Sequence, residues 1–439
     1  MKVYDVVVVG AGAGGLFAAA CVAAKGFAVL LLDDGERVGG RATSYQIDGF
    51  TVNTGAIALK TGGVMQDILD DLGIALDVRI PEPRTTFRVG GRSVAAGKGG
   101  LGILLGSLTK AAARIGQTFA QARHGELPEE SQTTQEWLNG FTRNQTVHGL
   151  FRNLCGVLFA VHPAELPART FLSFFARSAS VPFGYCPCGT IGVWEDVANV
   201  IRARGGEIRL ATTVERIVVE GGLARGVIVA GSDGGTFIGA RAVISNTGVT
   251  GTIALVGAEA LGKEYTALAA RRIKPTTIYN LYLASREKII ESAGLVTLAD
   301  TQRLCTVGDM TLTCPELAPP GWHMYVAYAV PQPGDRMDDA AQIESALAEL
   351  QREYPAFASA RVLLAERMVG SRTRAGYAMD QATPVANLWN VGDAVISEGD
   401  GGTQACAETG RKAADMAISF LRAVSTRTDS AGIPFAGSL

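Results

Sequence analysis

No run of about eighteen uncharged apolar residues, the minimum for a spanning helix, occurs in the 439 residues, so no part of the chain is expected to cross a membrane. Histidine is scarce. His124, His148, His162 and His323 lie far apart, and no HxxxH or CxxC pair is present to seed a metal site, so no bound metal is expected. Charge of one sign is missing too: 40 basic residues stand against 42 acidic ones without a basic block, which removes nucleic acid as a partner. The seven cysteines are odd in number and unpaired in spacing, which fits a reducing, cytoplasmic setting. Cys186 and Cys188 flank Pro187 and read as a turn rather than a redox pair.

What is present points to a large buried core. At 439 residues two domains are the default. A mean hydropathy of +0.20 leaves room for an apolar pocket or a peripheral, membrane-facing patch. The apolar start Val6 to Val9 is broken by Gly10 and lacks a basic flank beyond Lys2, so it reads as a strand and not as a signal peptide.

Val3 to Val9 is rich in β-branched residues, the pattern of a parallel strand buried on both faces. It runs into Gly10, Ala11, Gly12, Ala13, Gly14 and Gly15, a GxGxxG followed by a small-residue helix over Leu16 to Ala24. Gly10 makes the sharp turn, Gly12 lets backbone approach a pyrophosphate, and Gly15 allows close packing of helix on strand. A second strand, Phe27 to Leu32, ends at Asp33, eighteen residues beyond Gly15, where an acid accepts hydrogen bonds from the ribose hydroxyls. Asp34 is the neighbouring candidate. A second GxGxxG over Gly97 to Gly102 has no acid-ended strand after it, and Thr85 to Val94 before it reads as a hairpin turning at Gly90 and Gly91, so no second dinucleotide site is expected.

Arg37, Val38, Gly39, Gly40, Arg41, Ala42 and Thr43 form a glycine pair flanked by arginines, which lets backbone lie against a ligand and puts a cation near a pyrophosphate. GAGAGG followed by LLLDDGERVGGRATS resembles the FAD signature of the flavin-containing amine oxidase and phytoene desaturase superfamily. The later NLWNVGD (Asn387 to Asp393) and GGTQACAETGR (Gly401 to Arg411) resemble that superfamily's closing motif. The resemblance implies FAD as cofactor. It implies contacts from Gly10, Gly12, Gly14, Gly15, Asp33, Asp34, Gly40, Arg41, Gly55, Ala56, Gly392 and Asp393, an adenine contact from the backbone of Val214, and a helix N-terminus at Gly402, Thr403 and Gln404 aimed at the flavin. It also implies an α/β fold: a Rossmann-like FAD-binding domain with a parallel sheet and β-meander from 1–80, 187–250 and 371–425, a discontinuous α+β substrate domain from 81–186 and 251–370, and a tail over 426–439. Strands are read at Glu207 to Leu210, Thr212 to Val219, Leu223 to Val229, Ala242 to Asn246 and Thr276 to Leu283.

The substrate half is less determined. Leu101, Leu104, Leu105, Leu108, Ala112, Ile115 and Phe119 recur at helical spacing, as a core-packing helix or one that lies on a membrane surface. Ala394 to Asp400 lacks the aromatic that the superfamily's amine oxidases usually carry there, while PCGTIG (Pro187 to Gly192) and TQACAETGR look more like phytoene desaturase. The expectation is hydride transfer between FAD and a carbon-carbon bond of a small, mostly apolar or amphipathic substrate, as desaturase or saturase, with a separate electron acceptor. Redox-neutral isomerisation of a polyene stays open beside it. Glu398 and Asp400 are the carboxylates nearest the flavin by the motif, Lys274 resembles the amine oxidases' lysine, and Tyr377 precedes the closing motif; these four are the candidate catalytic groups. Amine oxidation with release of peroxide is the alternative. A non-catalytic lipid carrier of the GDP-dissociation-inhibitor type is the reading from another class, opposed by the intact nucleotide residues.

Overall fold

The computed structural model describes residues 2–95, 109–178, 182–231, 235–370, 378–395 and 401–431. Gly97 to Gly102, Leu101 to Leu108, Tyr377, Glu398 and Asp400 lie outside the described residues.

Val3–Val9 (β1) is followed by the helix Ala13–Ala24 (α1) and by Val29–Leu32 (β2). β1 pairs in parallel with β2 on one side and with Thr236–Ser245 on the other. Burial on both faces explains the unbroken Val and Leu runs Val6 to Val9 and Val29 to Leu32. Glu207–Arg209 extends the sheet beyond β2, and the meander Val214–Glu220, Leu223–Val229, Thr236–Ser245 extends it the other way. The last strand changes partner along its length: its start pairs antiparallel with Leu223–Val229, and its end, Val243 to Ser245, pairs in parallel with Leu388–Asn390. The closing motif is thereby set beside the opening one.

Strand ends differ from the sequence reading where a local bond captures a residue. Phe27 donates its N–H to the Val22 carbonyl and closes α1, so β2 starts at Val29. Thr212 donates to the Asp33 carbonyl and Ala211 to that of Gly35, tying the meander's entrance to the acid loop before the strand begins at Val214. The last helix, Thr403–Ala431, runs past residue 425 into the segment read as tail, and the Ser425 and Thr426 hydroxyls donate to the carbonyls of Leu421 and Arg422 one turn back, within the helix.

A second seven-stranded sheet orders Arg361–Gly370, Thr276–Ser285, His323–Ala329, Leu304–Asp309, Leu295–Leu298, Thr85–Val89 and Arg92–Ala95. The last two strands form the expected hairpin, with Gly90 and Gly91 at positive φ in the turn. Helices Thr109–Arg123, Thr134–Asn139, Gln145–Phe159 and Ala168–Ser178 pack beside this sheet around a ring-rich core. Ile115 is buried there and Phe119 meets the rings of Trp137, Phe171 and Phe175, so the described part of the amphipathic helix is a core-packing helix.

The second sheet is tied to the segment Asn53 to Gly55. The Tyr282 hydroxyl donates to the Asn53 carbonyl, and the Tyr328 hydroxyl donates to that of Gly55 at 2.6 Å.

Candidate active site

The nucleotide loop is set by contacts that leave no room for a side chain. Gly10 turns at φ +100°, and a Cβ on Gly15 would sit 1.9 Å from the Gly10 carbonyl oxygen. Helix α1 therefore begins directly against the strand end; its N-cap, Gly12, has no side chain to offer, and of the first-turn N–H groups that of Gly15 is met by the Asn246 side chain. Such a helix start, with a glycine and no side chain at its N-cap, favours an anion. Asp33 holds the loop from below: its carboxylate accepts the Ala11 N–H at 2.5 Å and the Gly35 N–H at 2.8 Å. Burial raises its pKa and the two backbone bonds oppose that rise.

The glycine pair lies against this loop. Gly39 donates its N–H to the Ala11 carbonyl at 2.9 Å, and Gly40, at φ +56°, passes so close that a Cβ would lie 3.1 Å from the Gly12 Cα. Next in the chain, the Arg41 guanidinium meets Asp393 at 2.8 Å, the link between the opening and closing motifs. The carboxylate beside it raises the Arg41 pKa. Gly55, at φ +65°, packs on the Arg41 carbonyl, which a Cβ would approach to 2.3 Å.

Asn246 was not singled out by its sequence context. Its Oδ1 accepts the Gly15 N–H at 2.9 Å, and its Nδ2 donates to the Val391 carbonyl at 3.2 Å, so one side chain fixes both motifs. Gly392, at φ +114°, donates its N–H to Thr409 Oγ1 at 3.0 Å, which anchors the final helix on the same turn. Gln404 accepts the Met65 N–H and donates to the Gly62 carbonyl, so its side chain ties the final helix to the helix Gly63–Asp71.

These elements open on one cavity of about 1890 Å³. Ligand pockets commonly span about 300–1,000 Å³, so this one has space for a dinucleotide and a second sizeable molecule. Gly10, Gly12, Asp33, Asp34, Gly40 and Arg41 line one end; Gly55, Ala56, Gly392, Asp393, Gly402, Thr403 and Gln404 also line it. Gly14 and Gly15 stand behind this lining as packing residues, with Gly14 against Gly392 and Asn246. Val214 is half-buried at the start of its strand and is not part of the lining. The glycine cradle, the acid at the strand end and the α1 helix start fit FAD: Asp33 would hold the ribose, the α1 N-terminus and Arg41 the pyrophosphate, and the start of Thr403–Ala431 the flavin edge.

The other end is walled by aromatic and aliphatic groups, among them Phe87, Phe119, Phe151, Phe159, Phe171 and Phe174. Lys274 is exposed and lies outside the lining, between the end of Lys263–Arg272 and the strand Thr276–Ser285. Among the described residues, the lysine that lines the cavity is Lys60, 2% exposed, on the two-residue strand Leu59–Lys60 that pairs with Phe183–Gly184. Its Nζ lies 5.8 Å from the Phe183 ring centroid. Cys186 is buried, its thiol pushed up to about 12 by burial, while Cys188 is exposed, in keeping with a turn. No cluster of three metal-ligating side chains occurs among the described residues. No described helix is long and apolar enough to cross a membrane.

Burial also lowers the Lys60 ammonium from 10.5 to about 8. Its cost to the folded state is full below pH 8 and is relieved as pH rises toward 10.5, because only the unfolded chain then keeps the proton. The melting temperature of the wild type relative to Lys60→Met is expected to rise across that interval. A flat difference would show that Lys60 is not desolvated.

The sequence pattern of the family described as flavin containing amine oxidoreductase matches residues 13–418. An uncharacterized protein of Methanocaldococcus jannaschii is 24% identical over 336 residues, 73% of this chain and 76% of that one. A 4,4'-diapophytoene desaturase of Staphylococcus haemolyticus is 40% identical over 68 residues, 16% of this chain and 14% of that one. Among solved structures, an oxidoreductase from Methanosarcina mazei superposes with a TM-score of 0.82 at 24% identity, over 93% of this chain and 99% of the other. With the family pattern running from α1 into the final helix, around a cradle that fits FAD, the chain belongs to the flavin-containing amine oxidoreductase family and is an FAD-dependent oxidoreductase.

Proposed function

We propose that the protein transfers hydride between the flavin and a carbon-carbon bond of a largely apolar substrate. The observation that supports this reading is the wall of the cavity. Phe171, Phe174 and Phe175 recur at i, i+3 and i+4 on the helix Ala168–Ser178 and present one face to the cavity, where Phe119 and Phe151 meet them. Such a surface binds hydrocarbon and excludes water from it. FAD supplies the capacity to take up or release hydride. The protein's part is to position and to shield. Tyr328 holds the Gly55 carbonyl at the junction of the two ends, and the start of Thr403–Ala431 offers N–H groups where negative charge would gather on a reduced cofactor.

Amine oxidation with release of peroxide is the second reading, and the family's description favours it. The two are separated by adding substrates to flavin-loaded protein without oxygen and following the visible absorbance. Bleaching by an apolar alkene or saturated carbonyl compound, with amines inert, is the expected result. Bleaching by simple primary or secondary amines alone would sink the carbon-carbon reading.

A further inference from the structure

Among the described residues, cations outnumber carboxylates in the walls of the cavity's apolar end. Arg84, Arg123 and Arg169 line it together with Lys60, and Glu130 is the one carboxylate among its described lining residues. Arg169 approaches Glu130 at 3.7 Å, so that acid is already faced by one of the cations. The placement follows from the fold. Arg123 lies one turn beyond Phe119 on the helix Thr109–Arg123, so both address the same side of that helix. Arg169 is the second residue of the helix that carries Phe171, Phe174 and Phe175. Arg84 immediately precedes the strand that carries Phe87. Each of the three arginines thus lies within four residues of an aromatic residue of the wall.

The nucleotide does not account for them. The diphosphate of FAD has the α1 N-terminus and Arg41 at the opposite end of the cavity. Arg271 and Arg272 also line the cavity, but their helix packs with Val249 and Val395 beside the nucleotide loops. A neutral hydrocarbon gains nothing from several cations, and an ammonium ion is repelled by them. An anion attached to an apolar body is suited to both features.

We infer that the substrate is an amphipathic anion, an apolar body bearing a carboxylate or phosphate, held by Arg84, Arg123 and Arg169. The inference rests on the proposed reaction for the apolar body that sits against the wall. The two fail separately, because charge preference is read by binding and the reaction by bleaching.

The test is calorimetric titration of the flavin-loaded protein with four ligands of matched chain: decanoate, decyl phosphate, decanol and decylamine. At least one anion is expected to bind tenfold or more tightly than both the alcohol and the amine, and to weaken as salt is raised while the alcohol does not. Carboxylate and phosphate are told apart by which of the two binds more tightly. The variant R84Q/R123Q/R169Q is expected to bind decanol as the wild type does and to lose the anion preference. Decylamine binding as tightly as the anions, or an anion preference insensitive to salt, would overturn the inference even if the triple variant failed to fold. An unchanged preference in a folded triple variant would do the same.

Discussion

Gly15→Val is expected to yield a folded but nearly colourless protein, with flavin content below a tenth of the wild type. The first added atom would lie 1.9 Å from the Gly10 carbonyl oxygen, and a backbone atom cannot swing away as a side chain can. Either α1 retreats from the strand or the Gly10 turn opens, and both move the N–H groups that face the cavity. Overpacking costs about 1–3 kcal/mol. If the upper figure falls on cofactor binding, affinity drops by more than about a hundredfold. The check is flavin absorbance relative to protein absorbance after dialysis, beside a far-ultraviolet spectrum. Full retention of flavin would show that α1 tolerates displacement and that the tight packing is not what shapes the site.

Asp33→Ala is the second change with a large effect. Its carboxylate accepts the Ala11 and Gly35 N–H groups, and each partly buried donor left without an acceptor costs about 1–3 kcal/mol. That cost is borne with and without FAD and lowers the melting temperature. The loss of a charged acceptor for the ribose, worth about 1.5–3 kcal/mol, falls on affinity, and FAD dissociation should rise ten- to a hundredfold. The sign with pH follows. Burial raises the pKa of Asp33, so its carboxylate takes up a proton at a higher pH than an ordinary aspartate. A protonated Asp33 accepts ribose hydroxyls poorly, so FAD affinity in the wild type declines on acidification, starting above the ordinary aspartate range, and the decline is absent in Asp33→Ala. Equal pH profiles for the two proteins would remove Asp33 from cofactor binding.

These positions were readable in advance because the chemistry behind them is local. Turn, helix start and acid-ended strand follow one another within Val3 to Asp33, and each leaves its own residue type at its own spacing. Gly39 and Gly40 are equally local. Asn246 is different: nothing near it in the chain distinguishes it from any residue after a strand. Its role exists because Thr236–Ser245 lies between β1 and Leu388–Asn390, bringing residues 231 and 145 positions away within reach of one amide. Lys60 was missed for the same reason. It lies in the cavity because Leu59–Lys60 pairs with Phe183–Gly184, a contact across more than a hundred residues, whereas Lys274, chosen by its neighbourhood in the chain, faces solvent. The three arginines of the apolar end come from three separate segments and leave no joint pattern in the sequence.

The pairing of the two motifs bears on how the molecule comes into being. α1 carries Leu16, Phe17, Ala18 and Ala20, all fully buried, and much of that burial is against Ala413, Ala414 and Ala417 of the final helix. There Gly410 passes so near that a Cβ would lie 2.8 Å from the Gly14 carbonyl oxygen. A ribosome releases α1 first and that cover almost four hundred residues later, with the whole substrate sheet made in between. Contacts of such long separation are slow to form and leave apolar surface open meanwhile. The nucleotide half therefore has no complete core during synthesis, and FAD meets a finished cradle only after the final helix has docked.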